Sequence, residues 1–356
     1  MHTRQRILIA PLDWGLGHAS RCVPIIRLLL KKGAEVIIAA DGRPMELLKQ
    51  EFPTLEFVRL KGYEIYYPER GSMILKMFSF LPRILSGIRA EHNAVKKIIK
   101  EKRITIVISD NRFGLWNDSV KCIFITHQLM IKTPFAEKLL HEINLHYINK
   151  FDECWIPDAA GEINLSGDLS HKYPLPRNAC FIGALSRFDK AITSSEKKDI
   201  YDIVAIISGP EPQRTLFEKM ISEQIINSDL KALIVCGKTE ERSDEMVTEK
   251  VRMVSHLNTE EMKQAIIGAK IIVARSGYTT LMDMARLGKK AIFIPTPGQT
   301  EQLYLAERLM KEKIAFSQQQ HLFNLQQAII ESENYRGLEI MPEEDELEKR
   351  IDALKK

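Results

Sequence analysis

The chain has 356 residues, 45% of them apolar and 28% charged, with a net charge of +4. That is an ordinary globular composition, and the length exceeds what one hydrophobic core usually supports, so two domains are expected. The five cysteines, Cys22, Cys122, Cys154, Cys180 and Cys236, are scattered with no Cys-x-x-Cys pair, which excludes a disulfide framework and a zinc site and fits reduced thiols in a cytoplasmic protein.

The first apolar run, 7–10, is too short for a signal-peptide core and predicts a strand. A helix over 19–32, ended by Gly33, leads to a strand at 36–39, a helix near 45–51 and a strand at 55–60. A long helical region is predicted over 73–102, with Pro82 as a break or boundary. Strands at 104–109 and 122–126 and a helix over 135–150 complete this half. After an irregular stretch, 157–199, the pattern restarts with a strand at 203–208, a helix at 213–224 and a strand at 232–236. A helix at 260–268, a strand at 271–274, a helix at 279–287, a strand at 291–294 and a helix at 302–311 follow. The end, 343–356, reads as a terminal helix. Strands alternating with helices predict doubly wound parallel sheets, so two Rossmann-like domains are expected across a cleft. Their bounds are 1–157 and 200–335, with 158–199 between them and a C-terminal helix in 336–356.

Ligands of such sheets bind beyond the carboxyl ends of the strands, where loops enter helices. The first such loop holds Asp13, Gly15, Gly17 and His18, and its glycines let a ligand approach backbone N–H groups. The third glycine of a dinucleotide fingerprint is missing. His18 reads either as a reactive group or as a packing residue near a helix start. Asp110 ends one strand and is a candidate base or a helix cap; His127 and Gln128 end another, and His127 is equally a satisfied buried histidine. In the second half the strand at 271–274 runs into Arg275, Ser276, Gly277, Thr279 and Thr280, a helix N-terminus suited to an anion. Asp283, one turn further, is within reach of a ribose diol. The next strand leads to Gln299, Glu301 and Gln302.

The segment 271–309 resembles the donor-binding region of glycosyltransferase family 28, which includes the peptidoglycan N-acetylglucosaminyl transferases. Arg275, Ser276, Gly277, Thr280 and Gln302 match its pattern; Asp283 stands where that family has Glu, and Glu301 where it has the first Gln of a pair. Residues 15–18 are similar to its glycine-rich loop with a His, 126–128 to its His-Glu-Gln segment, and 183–187 to the segment whose Arg, here Arg187, contacts phosphate. Residues 208–214 stand where it has a diphosphate loop, with Pro210 replacing a Ser. The resemblance implies a GT-B glycosyltransferase. Its donor, a nucleotide sugar expected to be UDP-linked, would be held by Arg187, Ser208, Gly209, Arg214, Leu257, Arg275, Ser276, Gly277, Thr279, Thr280, Asp283, Gln299, Glu301 and Gln302. Gly15, Gly17, His127 and Gln128 would lie on the acceptor side.

No Asp-x-Asp motif occurs, so no metal or other cofactor is expected, and the leaving diphosphate would be stabilised by Arg187, Arg275 and helix N-termini. The candidate bases, in order, are His18, Asp110 and Asp13; histidine titrates near neutrality without tuning. Direct displacement with inversion follows. The rivals are a sugar-nucleotide 2-epimerase of the same fold, which needs several acids around the sugar, and a non-catalytic nucleotide-sugar-binding protein. Nucleic acid is not an expected partner.

Charge divides unevenly: residues 1–157 hold 24 Lys/Arg against 16 Asp/Glu, and the remainder 27 against 31. The stretch 73–103 combines an apolar start with a basic end but is interrupted by Lys76, Pro82 and Arg83, so it cannot span a bilayer. It is expected either as a core helix or as a peripheral membrane contact at the inner face of the cell membrane, where it would suit a lipid-linked acceptor of the cell envelope.

Overall fold

The computed structural model describes residues 5–62, 73–133, 136–188, 200–338 and 345–354, with side chains of the helix beginning at Met73 described from residue 82 onward. The first sheet comprises β1 (Arg6–Pro11), β2 (Glu35–Ala40), β3 (Glu56–Arg59), β4 (Ile106–Asp110), β5 (Lys121–Ile125), β6 (Glu153–Ile156) and β7 (Ala179–Phe181). Its order is β3-β2-β1-β4-β5-β6-β7, parallel throughout. Helices α1 (Leu16–Lys31), α2 (Gly42–Glu51), α3 (Met73–Lys102), α4 (Glu137–Ile148) and the short α5 (Asp168–His171) connect the strands.

The second sheet comprises β8 (Tyr201–Ile206), β9 (Ala232–Val235), β10 (Asp244–Met246), β11 (Val251–Val254), β12 (Ala269–Ala274), β13 (Ala291–Phe293) and β14 (Phe316–Ser317). Its order is β10-β11-β9-β8-β12-β13-β14, with only β10 antiparallel to its neighbour among these strands. With it go α6 (Gln213–Ile226), α7 (Thr259–Ile267), α8 (Tyr278–Leu287), α9 (Thr300–Lys311) and α10 (Leu325–Ser332), and α11 (Glu346–Ala353) follows them in the chain. Two seven-stranded α/β domains are therefore present, as the alternation of elements predicts.

Both faces of each sheet are covered, so the middles of the central strands are apolar on both faces. In β1, Ile7 and Ile9 join the cluster under α1 and α2, while Leu8 and Ala10 join the one under α3. In each sheet the strand order reverses beside the first strand, between β1 and β4 and between β8 and β12. Those reversals open crevices at the carboxyl edges, which is where ligands of such sheets sit.

Three features differ from the sequence reading. Pro82 does not break α3, which runs unbroken from Met73 to Lys102. Ile88, Val95 and Ile98 pack that helix onto the sheet and outweigh one missing backbone hydrogen bond. The stretch 157–199 is not wholly irregular, because it supplies α5 and the edge strand β7. Finally, α11 returns to the N-terminal domain: Lys32 pairs with Glu348 and Asp352 at 2.6 and 2.8 Å, and Ile351 and Leu354 join the core cluster that also holds α1. Among the described residues no helix is long and apolar enough to cross a membrane.

Candidate active site

The loop after β1 enters α1 through Gly15, whose φ of 103° is a left-handed conformation that a side chain would strain. The loop after β12 enters α8 through Gly277. Neither helix start has a side-chain cap or an acid in its first turn, so the first N–H groups of both are suited to an anion. The two ends meet. Thr279 Oγ1 donates to the Gly17 carbonyl at 3.1 Å, and a Cβ on Gly17 would sit 3.1 Å from that same oxygen.

Behind this contact lies a network of buried charge. Arg21 Nε donates to Asp110 Oδ2 at 2.5 Å and Nη2 to Asp110 Oδ1. Arg21 Nη2 and Asp110 Oδ1 each lie 2.8 Å from His18 Nδ1. Arg21 Nη1 lies 3.0 Å from His127 Nδ1. From the other domain, Glu301 Oε1 lies 2.8 Å from His127 Nε2, and its Oε2 accepts from Gln128.

This arrangement sorts the candidate bases. Burial would raise the pKa of Asp110, but Arg21 and His18 hold it well below the usual carboxylate range. With no exposed surface, it orients its neighbours and is not placed to take a substrate proton. His18 is lowered from its ordinary value, first by burial and then by Arg21, so its imidazole is neutral at pH 7. Its Nδ1 is occupied by the network. Asp13 is raised by burial against the pull of Arg112, and its carboxylate packs tightly on Gly62. Glu301 is lowered: His127 and Arg21 overcome the cost of burial.

On the donor side, Asp283 accepts from Ser186 Oγ at 2.6 Å, and Arg187 Nε stands 4.0 Å from its carboxylate. Burial pushes Asp283 up to about 6 despite Arg187 and Ser186, and burial also lowers Arg187. The Arg187 Nε is buried with no hydrogen-bond partner, which costs free energy unless a ligand supplies an acceptor. Thr280, Ser208 and Gly209 are half-buried at the same edges, and Leu257 packs against the core.

Other predicted residues sit behind the surface. Arg275 is buried, donates to the carbonyls of Ile294, Pro295 and Gln213 and to Gln320 Oε1, and lies over the Phe217 ring; it braces the loops. Arg214 is engaged by Glu211, Glu218, Thr215 and the Cys236 carbonyl. Ser276 Oγ donates to the Gln302 carbonyl at 2.8 Å, and Gln302 Oε1 accepts from Thr296 N at 2.8 Å. These two shape the starts of α8 and α9. Gln299 holds the N-cap position of α9.

Arg21, Tyr278 and the Arg112–Glu91 pair were not picked out from sequence. Arg21 is three residues beyond His18, hence on the same helix face, and that spacing was readable. Arg112 Nε donates to Glu91 Oε1 at 2.7 Å and its other nitrogens to the Pro11, Leu60 and Lys61 carbonyls. No local pattern marks so distant a pairing.

Residues 203–353 match the glycosyltransferase family 28 C-terminal domain. An uncharacterized glycosyltransferase of Methanosarcina acetivorans is 22% identical over 333 residues, 83% of this chain and 81% of that protein. The UDP-N-acetylglucosamine–N-acetylmuramyl-(pentapeptide) pyrophosphoryl-undecaprenol N-acetylglucosamine transferase of Francisella philomiragia is 21% identical, over 92% of this chain and 88% of that one. Among solved structures, the glycosyltransferase SnogD from Streptomyces nogalater superposes with a TM-score of 0.59 at 13% identity, covering 99% of this chain and all of that one. The chain is a glycosyltransferase of GT-B fold whose residues 203–353 match the glycosyltransferase family 28 C-terminal domain.

Proposed function

We propose that the protein transfers a hexose, N-acetylglucosamine being the first to test, from a UDP-linked donor to an acceptor hydroxyl, with inversion and without a metal ion. The observation that carries this reading is the 2.8 Å contact between His18 Nδ1 and Asp110 Oδ1, at the start of the helix that touches α8. His18 Nε2 takes the acceptor's proton while its oxygen attacks the anomeric carbon. The bond from that carbon to the diphosphate breaks on the opposite face. Charge gathering on the diphosphate meets the N–H groups at Gly277 and the Nε of Arg187, which no hydrogen bond engages. Asp283 holds the ribose hydroxyls, with Ser186 beside it, and the edges at Ser208, Gly209, Thr280, Leu257 and Gln299 line the rest of the donor pocket.

The epimerase alternative requires carboxylates free to face the sugar ring, whereas Asp110 and Glu301 are tied into hydrogen bonds. We take the acceptor to be lipid-linked, met at the inner face of the cell membrane through residues 73–103. Leu85 supports this: it is 46% exposed, close to Arg83 and Arg89. The test is a screen of nucleotide sugars by thermal shift, followed by product analysis with and without acceptor. A donor altered without any acceptor would favour epimerisation. Stabilisation by nucleotide sugars with no turnover across acceptors would favour a binding protein.

A further inference from the structure

Arg21 is only 1% exposed and cannot touch a substrate, so the reaction as proposed leaves it without a task. Yet its guanidinium contacts Asp110, His18 and His127, and His127 alone of these carries the contact on to the other domain, at Glu301. A guanidinium can only donate hydrogen bonds. Its contact with His127 therefore requires a lone pair on Nδ1, which puts the single ring proton on Nε2, where Glu301 Oε1 accepts it at 2.8 Å. His18 Nδ1 faces two partners of opposite demand. Asp110 Oδ1 would accept a proton from it, and Arg21 Nη2 would give one. Only the first form leaves Nε2 with a lone pair for an acceptor hydroxyl.

We propose that Arg21 is a positioning residue that selects the Nδ1–H form of His18 by gripping Asp110 and His127 at once. With Nη1 on His127 and with Nε and Nη2 on Asp110, the guanidinium is pinned in one plane. Its Nη2 proton then goes to Asp110, and His18 donates to the same carboxylate. Without that grip Nη2, already 2.8 Å from His18 Nδ1, gives its proton to the imidazole instead. That contact favours the Nε2–H form, which is no base. The charged and titratable groups facing His18 are Arg21 from its own helix, Asp110 after β4, His127 after β5, Asp13 in the preceding loop and Glu301 from α9.

The inference rests on His18 being the base, and the experiment separates the two. In the full chain labelled with nitrogen-15 histidine, the two ring nitrogens of His18 report which one carries the proton. Wild type is expected to show Nδ1–H. Arg21→Lys keeps the cation but cannot reach Asp110 and His127 together. His127→Phe keeps a ring at that position and removes the acceptor of Nη1. In each, the Nε2–H form of His18 is expected to reach at least half, and kcat to fall at least tenfold. The dissociation constant of UDP alone should stay within threefold. Wild-type His18 protonated on Nε2, or His18 nitrogens unmoved in whichever of the two variants folds, would overturn the inference even if kcat fell. Retained activity in His18→Ala would instead end the base reading, while the nitrogen signals would still report what Arg21 does.

Discussion

Tyr278, at the start of α8, lies flat against His127 of the other domain, with ring centroids 4.1 Å apart and planes 4° from parallel. Its hydroxyl reaches past the ring to donate to the Pro157 carbonyl at 2.9 Å. A stacked pair contributes about 0.5–1.5 kcal/mol beyond its burial, so the ring holds His127 upright between Arg21 and Glu301. Tyr278→Phe keeps the stack and strands one carbonyl. It is expected to lower stability by about 1–3 kcal/mol and to change kcat less than threefold. Thermal unfolding and kcat measured together check this; a large loss of kcat with unchanged stability would assign Tyr278 to the chemistry.

Asp283 should oppose stability and binding to one another. Its carboxyl is raised from 3.8 to about 6 in the folded protein, by burial above all. A raised acid contributes stability below pH 4 that is lost as pH rises through 6, because the folded state must then bury a charge. Asp283→Asn removes that loss and is expected to stabilise the protein at pH 7.5 by about 1–3 kcal/mol. The same change should weaken nucleotide binding by about 1.5–3 kcal/mol through loss of a charge-assisted hydrogen bond. Denaturant unfolding at pH 4 and 7.5, beside calorimetry with UDP, measures both. An Asn variant that binds UDP as wild type does would remove Asp283 from the ribose role.

His18 predicts the acid limb of the pH profile. Burial and Arg21 lower its pKa, so it stays neutral, and a base, below the usual 6.5. The fall in kcat/KM on acidification should therefore begin below pH 6.5. His18→Ala should cost about 10²–10⁴ in kcat. A limb centred above 6.5 in wild type would point to another group.

The fold was legible because its signals are local. Ile7–Ala10 and Ile271–Ala274 are short, apolar and closed by loop residues, and both became central parallel strands. The edges were harder: β10 is exposed along its whole length and carries Asp, Glu and Met, so no burial pattern marks it. In the site, residues before helix starts could be read because a helix N-terminus has a fixed chemistry. Whether Arg275 faced a ligand or the loops around it could not, since that depends on Gln213 and Gln320, far away in sequence.

Activity should persist in excess chelator. The proposed stabilisation of the leaving diphosphate comes from Arg187 and the N–H groups at Gly277, which need no ion. Complete loss in EDTA, restored by magnesium or manganese, would contradict the mechanism.

The N-terminal domain should bind anionic membranes through α3 and its neighbour α4. The two helices meet where Ile84 and Tyr147 pack in one small cluster. Close by in sequence they carry exposed apolar residues: Leu85 at 46%, Leu139 at 61% and Ile143 at 42%. Exposed basic residues Arg83, Arg89 and Lys138 stand near them in the chain. The apolar start of the contact, with Phe78 and Leu81, lies outside the side chains described. Apolar groups at the headgroup boundary and cations on anionic lipid act together, and the ionic part weakens with salt. Replacing Leu85, Leu139 and Ile143 with Ser should leave stability within about 1 kcal/mol, because exposed positions bear little of the core. The same triple change should abolish cosedimentation with phosphatidylserine-rich vesicles at low salt. Wild-type protein that ignores such vesicles at low salt would sink the membrane contact and remove the argument for a lipid-linked acceptor with it.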